Sequence, residues 1–111
     1  MDLEWTMFTR PEGESYRQIE VSRESSWNLF DQVAKQLENA LNGVWTEKLD
    51  GLDQRYWDLS AQGGRITLHL EHYLGISVYP SEGNAVDVPS LDLLENTFAV
   101  LADYVPTQLK V

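Results

Sequence analysis

Apolar and polar residues alternate along most of this chain, and in two stretches a spacing of three and four replaces the alternation. Leu3, Trp5 and Met7 alternate with Glu4, Thr6 and Phe8 until Arg10-Pro11-Glu12-Gly13 supplies turn chemistry, which predicts a first strand. Tyr16 to Val21 predicts a second, with Ile19 and Val21 on one side and Tyr16, Gln18 and Glu20 on the other. Trp27, Phe30, Val33, Ala34, Leu37 and Leu41 then recur at helical spacing. Ser22, Ser25 and Ser26 are N-cap candidates for that helix, and Asn42-Gly43 is its stop. Val44 to Leu49 predicts a third strand, closed by Asp50-Gly51 and a polar loop to Arg55.

Tyr56 to Pro80 reads as three consecutive antiparallel strands. In the first, Trp57 and Leu59 point one way and Tyr56, Asp58 and Ser60 the other. In the second, Ile66, Leu68 and Leu70 oppose Arg65, Thr67, His69 and Glu71; in the third, Ile76 and Val78 oppose Ser77 and Tyr79. Ser81 to Pro89 reads as a loop, and Ser90 is placed to cap a second helix. Leu91, Leu94, Phe98, Leu101 and Val105 line one face of that helix, Leu93, Val100 and Tyr104 widen it, and Pro106 ends it. The expectation is an α+β fold over residues 1–111 as a single domain. It has an antiparallel sheet of five to six strands, in the order ββαββββα, with two helices packed on one face. A homodimer covering the second face is the alternative.

Parity assembles a polar face from Tyr56, Asp58, His69, Glu71, Ser77 and Tyr79. If Gly63-Gly64 forms a two-residue turn, Leu59 pairs with Leu68, Asp58 lies opposite His69 and Tyr56 opposite Glu71. A carboxylate beside an imidazole holds its tautomer and can serve a general base. Here, however, Ser60 and Ser77 are the nearest hydroxyls, and no nucleophile elbow or oxyanion loop accompanies them. Asp58 and Glu71 as a glycosidase pair would need a sugar cleft that a chain of this length has little room to build. His69 and His72 are three apart on a strand and so face opposite sides, which disfavours a metal site; no cofactor motif is present, since Gly63-Gly64 leads into no helix. Trp5, Trp27 and Trp57 fall in the apolar phase and are expected in the core, with Trp45 at an edge.

Composition narrows the function. The chain has 111 residues, 42% of them hydrophobic, with four Trp, five Tyr and three Phe, enough for a packed core. It has no cysteine, which removes disulfides, thiolate metal sites and cysteine nucleophiles. Met-Asp-Leu-Glu-Trp at the start is unlike a signal peptide and no apolar run reaches membrane length, so a cytoplasmic protein is expected. A net charge of −10 argues against nucleic acid or an anionic membrane and for a basic protein partner.

Tyr56-Trp57-Asp58-Leu59 followed by Leu68-His69-Leu70-Glu71-His72-Tyr73-Leu74-Gly75-Ile76-Ser77-Val78 resembles the sequences of small acidic single-domain bacterial proteins of uncharacterised or toxin-immunity type. The resemblance implies action by binding, since immunity members block a partner toxin, and it carries over no functional residue. The expected function is thus a non-enzymatic, protein-binding module, an immunity protein or inhibitor of a basic partner. A dimeric acidic secretion-type chaperone and a small hydrolase using Asp58 and His69 are the alternatives.

Overall fold

The computed structural model describes residues 1–9, 11–81 and 87–106. Six strands and two helices follow the order β1 (Glu4–Thr9), β2 (Ser15–Ser22), α1 (Trp27–Leu41), β3 (Val44–Asp50), β4 (Gln54–Ala61), β5 (Gly64–Glu71), β6 (Gly75–Pro80) and α2 (Val88–Ala102). The strands form one sheet in the order β1-β2-β6-β5-β4-β3, and every pairing is antiparallel. This is the expected α+β arrangement.

α1 forms because its apolar positions make one stripe and both ends are capped. The Ser26 hydroxyl accepts the Leu29 N–H, and Asn42 takes a left-handed conformation (φ 52°) that ends the helix. Phe30, Val33, Ala34, Leu37 and Leu41 are buried on that stripe. Against them lie Ile19, Val21, Leu59, Ile66, Leu68, Leu70, Ile76 and Val78 from the sheet, and Leu93, Leu94 and Leu101 from α2. Each large aliphatic side chain so buried contributes about 1.5–3 kcal/mol against unfolding. Both helices therefore share one face of the sheet.

α2 starts earlier than its serine suggests. Asp87 is the N-cap, its carboxylate accepting the Ser90 N–H, with Pro89 in the first turn where its missing N–H costs nothing. Ser90 is fully buried, and its hydroxyl accepts the Arg65 N–H at 2.9 Å, which fastens the helix start to β5. The buried stripe is Ser90, Leu93, Leu94, Thr97 and Leu101; Leu91 and Val105 are exposed, and the helix ends at Ala102, before Pro106. Of the expected 81–89 loop, residues 82–86 lie outside the described residues, as does Arg10 of the first turn.

The β4–β5 hairpin differs from expectation by one residue. Its turn is Gln62-Gly63, both at positive φ (53° and 80°), and Ala61 pairs with Gly64. Gly64 is needed elsewhere: a Cβ on it would stand 2.6 Å from the Pro89 carbonyl oxygen and 2.7 Å from Ser90 Cα. The sheet-facing start of α2 can seat only on a residue without a side chain, so Gly64 belongs to the strand and the turn slides back. Tyr56 consequently lies opposite His69, Asp58 opposite Thr67, and Leu59 opposite Ile66.

Arg55 corrects another expectation. It lies in β4, in phase with Trp57 and Leu59, and is buried on the helix side. Its guanidinium bonds Asp31 of α1 at 2.7 Å and Asp50 of β3 at 3.1 Å, and stacks near Trp27, Phe30 and Trp57 at 4.3–4.6 Å. Trp27, expected in the core, is 40% exposed and forms the outer wall of this cluster. Trp5 and Trp57 are partly buried against the core, Trp5 stacked on Phe98 and Trp57 edge-on to Phe30. Trp45, on edge strand β3, packs against Trp57.

Gly64→Ala is expected to cost about 1–3 kcal/mol of stability in chemical denaturation, because the new methyl must displace backbone. Gly51→Ala, whose Cβ would meet only the Gln54 carbonyl at 3.6 Å, should stay within about 0.5 kcal/mol of the parent. Equal stability of the two variants would contradict the tight seat of α2.

Candidate functional site

With both helices on one side, the other face of the sheet has no covering element among the described residues. It bounds a cavity of about 740 Å³ lined from all six strands. All six residues that parity gathered, Tyr56, Asp58, His69, Glu71, Ser77 and Tyr79, line it. Tyr16, Gln18 and Glu20 of β2, Phe8 of β1, Thr67 of β5 and Glu47 and Leu49 of β3 complete the wall with Glu12, Leu74 and neighbouring turn residues. Irregular pairing in β2 between Glu20 and Ser22, and in β3 between Trp45 and Glu47, breaks the ladder on both sides of the central strands. Bulges of this kind bend strands and raise their twist.

His69 occupies the centre. The Tyr56 ring stacks on its imidazole at 4.2 Å with the planes 19° apart, and Tyr79 meets it edge-on at 5.9 Å. The side chain is 15% exposed; Nε2 is shut off from solvent and makes no hydrogen bond. The nearest carboxylate oxygen, Glu71 Oε2, is 3.7 Å away, too far for one. Burial lowers the His69 pKa and Glu71 opposes that shift, so the imidazole is neutral at pH 7. Burial and then the Glu71 charge raise the Tyr56 pKa, and its hydroxyl donates to Gln54 Oε1 at 2.5 Å.

Asp58 does not partner His69. The slipped turn makes the two diagonal neighbours, and no hydrogen bond or ion pair joins them. Its carboxylate instead accepts the Thr67 hydroxyl at 2.6 Å. Since Thr67 has one proton to give, Ser81 donates to the Thr67 oxygen at 2.8 Å, forming a buried relay from Ser81 to Asp58. A carboxylate fixed by a neutral hydroxyl, with no imidazole against it, lacks the acid–base pair that the hydrolase alternative required. His72 lies apart at the exposed β5–β6 turn, its ring against Tyr73 and its carbonyl accepting the Ser25 hydroxyl.

The electrostatics of the cavity lining are one-sided. Glu12, Glu20, Glu47, Asp58 and Glu71 line the cavity, and no Lys or Arg does so among the described residues. Glu20 stands directly opposite Glu4 across β1 and β2; burial and then that neighbour raise its pKa, and Arg23, whose guanidinium lies 4.0 Å from the Glu4 carboxylate, opposes the shift. Tyr16 is buried at the cavity wall, in ring contact with Phe8 and Tyr79 at 5.3 and 6.1 Å, so the aromatic strip is continuous from β1 to β4. The outward phase of Tyr16, Gln18 and Glu20 was readable in the sequence. The contributions of Phe8, Glu47 and Leu49 depend on sheet order and carry no local signal.

Residues 13–94 match the family model described as "Protein of unknown function (DUF3630)". The chain belongs to this family. The match begins just before β2 and ends within α2, so it spans the whole Tyr56–Tyr79 face and leaves out β1. No curated protein and no solved structure matches the chain. No helix among the described residues of this DUF3630 member is long and apolar enough to cross a membrane.

The direction of the His69 shift sets a stability test. The unfolded chain takes up this proton near the ordinary value of 6.5, and the folded chain only at lower pH. The unfolded state therefore binds more protons in that interval, and stability falls as pH drops below about 6.5 until the folded imidazole itself titrates. His69→Asn should flatten this part of a melting-temperature profile measured from pH 7.5 to 5. Identical slopes for variant and parent would contradict a buried neutral histidine.

Proposed function

We propose that this protein is a cytoplasmic, non-enzymatic binding module, of inhibitor or immunity type, that presents the open face of its sheet to a basic protein. The observation that carries the reading is the composition of the cavity: five carboxylates and a continuous aromatic strip, with no cationic side chain among the described lining residues. Aromatic rings supply contact area at low entropic cost, and the carboxylates select and steer a positively charged partner. The same surplus of negative charge disfavours a second copy of this face as the occupant, which weighs against the chaperone dimer.

The test is capture of a partner from a lysate of the source cell on immobilised protein, followed by elution at rising salt. A basic protein released by salt and not captured by a folded Tyr56→Ala/Asp58→Ala/Glu71→Ala variant is the expected result. Equal capture by variant and parent would mean that another surface binds.

A further inference from the structure

The centre of the cavity is more specific than an acidic surface requires. Tyr56 and His69 form a preassembled stack, Tyr79 closes one side of it, and the Glu71 carboxylate, 39% exposed, stands on the same face. Glu71 has no Lys or Arg partner among the described residues; the ionisable groups that feel its charge there are His69 and Tyr56. The imidazole carries no charge at neutral pH to repel a cation, and the 15% of its side chain that stays exposed lies beside the Tyr56 ring stacked on it.

We propose that this centre is an arginine-recognition subsite, in which a guanidinium of the basic partner lies against the Tyr56–His69 stack and pairs with the Glu71 carboxylate. The proposal rests on the docking face argued above and specifies its central contact. Arginine fits better than lysine for two physical reasons. A guanidinium is planar and weakly hydrated, so it stacks on aromatic surface at little desolvation cost, whereas an ammonium holds its water. It also presents paired N–H donors matching both oxygens of a carboxylate, while an ammonium acts as a point charge. The chain shows the same chemistry in its own fold, where the Arg55 guanidinium sits among three aromatic rings and bonds two carboxylates.

Titration calorimetry at pH 7 and low salt with hexa-arginine and hexalysine peptides tests this. The arginine peptide should bind the parent roughly tenfold more tightly than the lysine peptide. The preference should shrink toward unity in Glu71→Gln and in Tyr56→Leu, with lysine binding weakened less than arginine binding. Glu71 is a half-exposed rim residue, so Glu71→Gln keeps the test valid if Tyr56→Leu perturbs the fold. Equal affinity of the parent for both peptides overturns the arginine subsite while the acidic docking face survives. A preference for arginine that persists in both variants, or no binding of either peptide, overturns it as well. Loss of partner capture, by contrast, removes the docking face itself.

Discussion

The contact on which the rest depends is the approach of α2 to β5 at Gly64. The Pro89 carbonyl and the Ser90 Cα occupy the space a side chain would need, and the Ser90 hydroxyl takes the Arg65 N–H in the same place. Because Gly64 must serve as this seat, it cannot also be the turn, so Gln62 accepts a positive φ and the β4–β5 pairing is set. That pairing puts Tyr56 on His69 and gives Asp58 to Thr67. A helix start on one face of the sheet thus decides which side chains meet on the other.

The cavity and the helix side differ in how their charges are met. On the helix side the cations are engaged: Arg17 reaches Glu95 and lies over Trp5, Lys48 lies over Trp57, and Arg55 joins Asp31 to Asp50. The cavity lining holds carboxylates without a described Lys or Arg among them, while Arg65 stands exposed on the same sheet face outside that lining, opposite Ser60. Burying the His69 Nε2 nitrogen with no hydrogen bond costs the fold stability.

Much of this was legible in the sequence. Strict alternation over Tyr56–Pro80 gives the faces directly, because a period of two survives any even shift in pairing; the six face residues therefore stay together although each partner differs by two residues from the expected one. Helix α1 was legible through its stripe and caps. Less was visible wherever a distant contact decided a local choice. Gly63 belongs to the turn in either register; local propensity favours Gly64 over Gln62 beside it, and only the contact with Pro89 and Ser90 reverses that choice. Ser90 has the chemistry of a cap, yet its hydroxyl is used by β5 and Asp87 caps instead. Arg55 looked like loop because it is charged, although its phase with Trp57 and Leu59 already placed it on the helix side. The cavity itself depends on sheet order and on irregular pairing in β2 and β3, which no local pattern announces.

The pairing of β4 with β5 is the most direct thing to measure, since both the seat of α2 and the composition of the face are read from it. Interstrand backbone NOEs in a uniformly labelled sample report which residues lie opposite. Contacts joining Tyr56 to His69 and Asp58 to Thr67 are the result expected from a turn at Gln62-Gly63. Contacts joining Asp58 to His69 and Tyr56 to Glu71 would place the turn at Gly63-Gly64, and would contradict both the role of Gly64 and the aromatic stack at the centre of the face.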